Sequence, residues 1–381
     1  MDYYAWSRRK QMADEERERE HAHPKKLVAA IAADQPLRWG LVGAGLISSD
    51  FAVALSVLKS ELHQVVTIAS SSLDRGKEFA RIHNIPHYCS YEALANNKDV
   101  DVVYIGSINS AHYDQIKMFL KAGKHVLCEK PMCLNVKRTK DVIHMAHERN
   151  LFLMEGIWSR FFPIYTRIKE EIRKGTIGDV MSVQVSMGFA VHERNRTKFR
   201  KFGGGGLYDF GIYPIQFANW VLGKPDKMTC SGHLSEEGVD ESASLTLLYP
   251  QSRIASVLLT TKSDLPNEAH IFGTKGQIKL WPVYAPVHLE LPSGIEEHPV
   301  PATTKTTNYM NATGLAYEAQ AVRKCLLEGK MQCNRVPHSE TELIAKLLHQ
   351  SRLELGVKFD QDKDKDITAH HTEVIAESVF P

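Results

Sequence analysis

Three side chains in this 381-residue chain could carry proton chemistry: Lys130, Asp209 and Tyr213. Lys130 sits in Cys128-Glu129-Lys130-Pro131, directly after the apolar run Val126 to Cys128. A lysine at the carboxyl end of a strand lies where open α/β sheets bind ligands. Its ammonium can hydrogen-bond a substrate oxygen and stabilise charge on a neighbouring proton-transfer group. Asp209 and Tyr213 belong to the tract Gly203-Gly204-Gly205-Gly206-Leu207-Tyr208-Asp209-Phe210-Gly211-Ile212-Tyr213. Four residues apart, they are expected on one face of a helix. A phenol with a pKa near ~10 is a weak base, but a close ammonium favours the phenolate. Lys130 with Tyr213 is therefore a candidate acid/base pair. Each residue also has a plainer role open to it: a surface lysine, a helix cap and a core aromatic.

A second group of residues suits a dinucleotide. Gly43-Ala44-Gly45-Leu46-Ile47-Ser48 follows a strand pattern and opens a helical one. In that setting a GxGxxG-like turn brings backbone close to a pyrophosphate at a helix N-terminus, with Ser48 in place of the third glycine. Gly43, Gly45, Leu46 and Ile47 are the expected contacts. The end of the second strand usually tells NAD from NADP, and here it reads Ser70-Ser71-Ser72 followed by Arg75. Without a carboxylate for the free ribose hydroxyl, and with Ser71 and Arg75 offering hydroxyl and guanidinium to a 2′-phosphate, NADP is expected over NAD.

The elements that must position these groups are legible as pattern. From Leu37 to about Glu155, short apolar strands alternate with helical periodicity, the mark of parallel βαβ units. The strand candidates are Leu37 to Val42, Val65 to Ala69, Val100 to Ile105, Val126 to Cys128 and Phe152 to Met154. Beyond Pro163 come a helix (Ile164 to Lys174), the glycine tract with another helix, and then strands separated by turn residues. These are Met181 to Phe189, Met228 to His233, Ser242 to Tyr249, Arg253 to Thr260, Ala269 to Phe272 and Gln277 to Trp281. Two helices, Leu315 to Glu328 and Glu340 to Leu355, follow. The expected fold is α/β: an N-terminal Rossmann domain with a doubly wound parallel sheet, plus a C-terminal α+β domain with an open, mainly antiparallel sheet. The divisions are a charged extension (1–36), the dinucleotide domain (37–156), a substrate and dimerisation domain (157–358) and a polar tail (359–381) whose Asp360 to Asp366 stretch reads as solvated.

Composition narrows the function. Apolar residues make up 43% and charged residues 24%, as in a globular protein. A formal net charge of +2, with no basic stripe, excludes a nucleic-acid partner. No apolar run approaches the ~20 residues of a membrane helix. Six scattered cysteines without a CxxC fit a reducing, cytoplasmic setting and free thiols, and no metal is expected. Ser7-Arg8-Arg9-Lys10 and the apolar Leu27 to Ala33 are separated by acids, so they read as a charged extension and not a leader.

In order along the chain, Gly43-Ala44-Gly45, Ile105-Gly106-Ser107-Ile108-Asn109-Ser110-Ala111-His112, Cys128-Glu129-Lys130-Pro131 and the glycine-Asp-Tyr helix resemble the Gfo/Idh/MocA oxidoreductase family. The resemblance spans roughly residues 36 to 358. Leu37-Arg38-Trp39-Gly40, Gly45 to Phe51, Trp158-Ser159-Arg160-Phe161-Phe162-Pro163 and Gly211-Ile212-Tyr213 with Gln216-Phe217 point to members that oxidise cyclic dihydrodiols or D-xylose with NADP. It implies that Lys130 and Tyr213 are the catalytic pair, where many relatives place a histidine at the tyrosine position. Asp209 would orient a substrate hydroxyl or the base. Ser107, Asn109, His112 and Glu129 would line the cofactor, and Trp158 and Arg160 would sit near nicotinamide or substrate. The open sheet would pair two subunits in a homodimer. Ser71-Ser72 stand where those members carry an Arg-Asp pair.

The reading is thus an NADP-dependent dehydrogenase acting on a small molecule, either a cyclic vicinal diol or the anomeric carbon of an aldopyranose. An inositol-type or other polyol dehydrogenase is an alternative within enzymes. A non-catalytic NADP-sensing regulator is the alternative outside them, and retention of both Lys130 and Tyr213 favours the enzyme.

Overall fold

A computed structural model describes residues 34–363. The basic cluster at Ser7 to Lys10, the Leu27 to Ala33 stretch and the tail beyond residue 363 lie outside the described residues.

Six strands form the first sheet: β1 (Leu37–Val42), β2 (His63–Ala69), β3 (His87–Cys89), β4 (Val102–Ile105), β5 (His125–Glu129) and β6 (Leu153–Gly156). All pair in parallel in the order β3-β2-β1-β4-β5-β6, the doubly wound arrangement whose order reverses between β1 and β4. Between them run α1 (Leu46–Ser56), α2 (Leu73–His83), α3 (Tyr91–Asn96), α4 (His112–Lys121) and α5 (Val136–Glu148). β4 and β5 are buried along their whole length, as strands covered by helices on both faces must be. β3 is an edge strand that the sequence pattern does not announce, because His87-Tyr88-Cys89 is short and partly exposed. The opposite edge, β6, is completed from far along the chain. The Leu153 amide donates to the Met331 carbonyl at 3.1 Å, and the Leu153 carbonyl meets His338 Nε2 at 2.8 Å.

After α6 (Pro163–Lys174) comes β7 (Val180–Gly188), a short α7 (Asn195–Lys198), and α8 (Ile212–Leu222). The second sheet adds β8 (Lys227–Leu234), β9 (Asp240–Tyr249), β10 (Arg253–Thr260), β11 (Glu268–Gly273), β12 (Gly276–Trp281), β13 (His288–Leu291) and β14 (Gly294–Glu297). Its order is β14-β13-β12-β11-β7-β10-β9-β8, antiparallel except where β7 and β10 run parallel. β13 and β14 form a hairpin beyond the strands expected from sequence. α9 (Leu315–Leu327) and α10 (His338–Leu355) then return to the first half.

One apolar core runs through both halves, from Leu37, Trp39 and Phe51 through Trp158, Phe162 and Tyr213 to Leu259, Leu315 and Leu348. The other face of the second sheet exposes Met181, Leu248, Ile254 and Leu258, each between 38% and 48%. No helix among the described residues is long and apolar enough to cross a membrane.

The start of the tail differs from the solvated stretch expected. Phe359 is buried, and Asp362 holds fully buried Arg352 at 2.6 Å. A buried guanidinium needs a fixed partner, and Asp362 supplies it.

Candidate active site

β1 ends in Val42, and Gly43 turns the chain at φ +93°, a conformation that favours glycine. A Cβ at Gly43 would lie 3.1 Å from the Gly106 carbonyl and 3.2 Å from Ser107 Cα. The turn after β1 and the loop after β4 therefore touch backbone to backbone at the point where the sheet order reverses. Gly45 precedes α1, so the free amides of its first turn face this cleft, with Leu46 more than half exposed beside them. Ile47 packs toward Gly106, where a Cβ would meet it at 3.3 Å. This cradle fits a pyrophosphate.

At the end of β2, Ser72 caps α2 by accepting the Arg75 amide, and the Arg75 guanidinium donates to Ser71 Oγ at 2.9 Å. Both Ser71 and Arg75 are exposed, so these two residues meet at the expected edge. No carboxylate stands in Ser70 to Ser72.

The loop after β4 is fixed from several sides. Ser107 donates to Gln115 at 2.5 Å, and Asn109 donates to the Gly203 carbonyl at 3.1 Å, bridging to the glycine tract. His112 is fully buried between the carbonyls of Pro131, at 2.9 Å, and Ser107, at 3.3 Å, and burial drops its pKa to about 4. His112 is thus a neutral brace between two loops and not an exposed contact.

After β5 the peptide bond Lys130-Pro131 is cis, and Lys130 Nζ is buried. It donates to the Asp209 carbonyl and lies 5.3 Å from the centroid of the Tyr213 ring. Lys130 and Tyr213, 83 residues apart by their numbers, therefore pack side by side. Burial, with help from Arg196, pulls the Lys130 pKa down to about 7, while Glu129 opposes the shift. Burial likewise pushes Glu129 up, though Lys130 and the Tyr104 hydroxyl, donating at 2.7 Å, restrain it.

Tyr213 departs from expectation. Its hydroxyl accepts from Trp158 Nε1 at 2.6 Å, and no bond from Lys130 reaches it. Burial and the neighbouring Glu129 raise its pKa well above the usual value, with Trp158 only partly opposing. In this arrangement the phenol keeps its proton, so the ammonium does not draw it to phenolate. Asp209 also differs: residues Leu207–Gly211 form a π-helical turn ahead of α8, and the Asp209 carboxylate pairs with Arg196 and accepts from Thr197 at 3.0 Å. It clamps the loop around α7, and only its carbonyl reaches Lys130. Arg160 is buried against Gln216 at 3.0 Å and Glu340 at 2.5 Å and also donates to the Arg335 carbonyl, so it ties α10 to the core.

Sequence reasoning missed three groups. Arg196, in the loop Val191 to Lys201, acts electrostatically on Lys130, Glu129 and Tyr213. Glu155 braces the Glu-Lys-Pro loop by accepting the Met132 amide at 2.8 Å, with burial raising its pKa to about 7. Glu318 on α9 is fully buried with neither oxygen bonded, and burial holds it strongly toward the neutral acid. None carries a local signal, since Glu155 and Glu318 are lone charged residues in ordinary strand and helix patterns and Arg196 lies in an irregular loop.

Comparison with known proteins decides the family. The model of the oxidoreductase family with an NAD-binding Rossmann fold matches residues 37–157, and that of the GFO/IDH/MocA C-terminal domain matches 165–279. The chain belongs to the Gfo/Idh/MocA oxidoreductase family. Among curated relatives, trans-1,2-dihydrobenzene-1,2-diol dehydrogenase of Mus musculus is 41% identical over 86% of this chain and 99% of its own length. The Homo sapiens protein of the same name is 40% identical with the same coverage. Among solved structures, a 3-ketoreductase from Actinomadura kijaniata in complex with NADP and TDP-benzene superposes with a TM-score of 0.72 at 26% identity, covering 84% of this chain and 98% of that one. An aldose-aldose oxidoreductase from Caulobacter crescentus, at 22% identity and a TM-score of 0.72 over 84% of this chain and 97% of that one, shares the fold. As a member of this family the chain is an oxidoreductase built on a dinucleotide-binding domain.

Proposed function

We propose that this chain is an NADP-dependent dehydrogenase that oxidises a carbinol flanked by another hydroxyl, either a cyclic vicinal trans-diol or the anomeric carbon of an aldopyranose such as D-xylose. The observation that carries the reading is the convergence of buried Lys130, Tyr213 and Trp158 in one contacting cluster beyond the end of β5. The relatives named for dihydrodiol oxidation support the diol over the sugar. Ser71 and Arg75 support NADP, as does the NADP in the ketoreductase complex.

NADP, when bound, would supply the hydride acceptor. The chain's own residues handle the proton. Tyr213, held by Trp158, exchanges it with the substrate hydroxyl, and Lys130 beside the ring carries charge that offsets the developing alkoxide. With its proton retained at rest, Tyr213 is set to donate in the reductive direction. Deprotonation in the oxidative direction depends on Lys130 being charged. Asp209 acts by holding Arg196 and Thr197 at the rim.

The exposed apolar face of the second sheet supports pairing of two copies as a homodimer. Purified protein assayed on cyclic diols, aldoses and inositols with NADP and NAD tests the reading. Turnover of dihydrodiols or D-xylose with NADP is expected, and turnover confined to inositols, or to NAD, overturns it.

A further inference from the structure

The glycine run ahead of Tyr213 holds a carboxylate that the proposed reaction leaves unused. Asp240 is the first residue of β9, and its backbone pairs with Leu234 on β8. The next carbonyl, that of Glu241, accepts the Thr261 amide at 2.7 Å, so this end of β9 is fixed to the second sheet from both sides. The Asp240 side chain is buried in the glycine run, where one carboxylate oxygen accepts the Leu207 amide at 2.8 Å. Leu207 opens the π-helical turn, so the carboxylate also lies at the positive end of the helical stretch that continues as α8. Burial raises the Asp240 pKa to about 6 against the pull of the Leu207 amide, which leaves it ionised at neutral pH.

The run is shaped around this carboxylate. A Cβ at Gly205 would overlap Asp240 Oδ1, and the residue sits at φ +102°, a conformation that disfavours side chains. A Cβ at Gly206 would press on Oδ2 at 3.2 Å. Two of the four glycines thus form the walls of a socket. From there the chain leads directly to the proton-handling groups. The Asp209 amide donates to the Gly205 carbonyl at 3.0 Å, the Asp209 carbonyl accepts Lys130 Nζ, and Tyr213 follows in the first turn of α8.

We propose that Asp240 is a positioning residue for proton transfer: seated among the glycines, it pins the π-helical turn to the second sheet and so sets where Lys130 and Tyr213 stand relative to each other. This rests on the function proposed above. Asp240 acts through the Leu207 amide and not on the reacting atoms. An ionised acceptor makes a shorter and stronger hydrogen bond than a neutral one, so the charge itself tightens the turn.

Hydrogen exchange on the full-length protein, without substrate or cofactor, reads the socket. Asp240→Asn keeps the shape and loses the charge. The peptide spanning 203–213 should then exchange several-fold faster, while the peptide spanning 37–47 keeps its rate. Unchanged exchange in 203–213 overturns the socket whatever the substrate. Gly206→Ala, at a residue whose backbone is already helical, crowds the carboxylate from the other side and should give the same pattern, so the test survives if Asp240→Asn does not fold.

Steady-state kinetics with cofactor titration reads the consequence. In Asp240→Asn kcat should fall, by up to about 100-fold for a displacement of about 1 Å, while the NADP Kd stays at the wild-type value. In the double variant Asp240→Asn/Tyr213→Phe the loss in kcat should be smaller than the product of the single losses, because both act on one proton transfer. Losses that multiply, or an unchanged kcat with faster exchange, overturn the positioning role. An unaffected kcat in Tyr213→Phe alone overturns the proposed reaction and the positioning role with it, and leaves the socket to the exchange result.

Discussion

The glycine turn after β1 and the pocket after β5 lie on the same carboxyl edge of one sheet, yet they are built from opposite materials. The first is backbone: Gly43 and Gly106 pressed together, helix amides free, and no ionisable side chain in the contact. The second is side chain: Lys130, Glu129, Tyr213 and Glu318, all buried and all pushed toward their neutral forms. A backbone site binds a fixed anion and tolerates few shape changes. A site of buried ionisable groups trades stability for protons that move near neutral pH. The comparison predicts that damage to one site should appear in binding and damage to the other in rate.

The sharpest break is Tyr213→Phe. It should lower kcat by ~100-fold to 10,000-fold with NADP affinity nearly unchanged, as loss of a general acid/base requires. Steady-state rates and fluorescence titration of the cofactor check it, and unchanged kcat sinks the role of Tyr213. The same change strands the Trp158 N–H, so thermal unfolding should show a loss of about 1–3 kcal/mol.

Gly43→Ala should do the converse. A left-handed backbone costs a side chain roughly 1–2 kcal/mol, or about tenfold in cofactor Kd, before the contact with Gly106 is counted. At saturating NADP, kcat should stay near normal.

Arg75→Ala sharpens the comparison within the backbone site. NADP should bind roughly tenfold more weakly, in line with a charge-assisted hydrogen bond, while NAD is unaffected. Equal losses for both cofactors would remove Arg75 from the 2′-phosphate.

The smallest effect is in pH. Lys130, at about 7 in the folded protein, is protonated below that value and neutral above it. If its ammonium helps hold the cofactor, NADP affinity should weaken several-fold between pH 6 and pH 8, and this slope should vanish in Lys130→Met. A slope of equal size in that variant assigns the titration elsewhere.

The same division governs what the sequence reveals. Gly43-Ala44-Gly45 and Cys128-Glu129-Lys130-Pro131 are local motifs whose meaning lies in the strand before them, and the strand pattern from Leu37 to Met154 is strong because buried parallel strands are apolar throughout. Short β3 and the β13–β14 hairpin lack that signature, since their residues are half exposed. An α-helical count puts Asp209 and Tyr213 on one face, and the π-helical turn at Leu207–Gly211 breaks that count. The resemblance places Arg160 near nicotinamide or substrate, but it says nothing of Gln216 and Glu340, the partners that a buried guanidinium needs and that lie 56 and 180 residues on. Glu318 and Arg196 depend on contacts across more than a hundred residues or on an irregular loop, which no spacing rule reaches.

The edge strand β6 is completed late in synthesis. Its outer partners, Met331 and His338, leave the ribosome some 180 residues after Leu153. Through most of synthesis the dinucleotide domain therefore presents an unfinished sheet edge, the kind of surface on which nascent chains stick to one another. A fragment ending near residue 157 would keep that edge permanently. It should need a chaperone or a solubilising partner, even though every glycine of its cofactor turn is present.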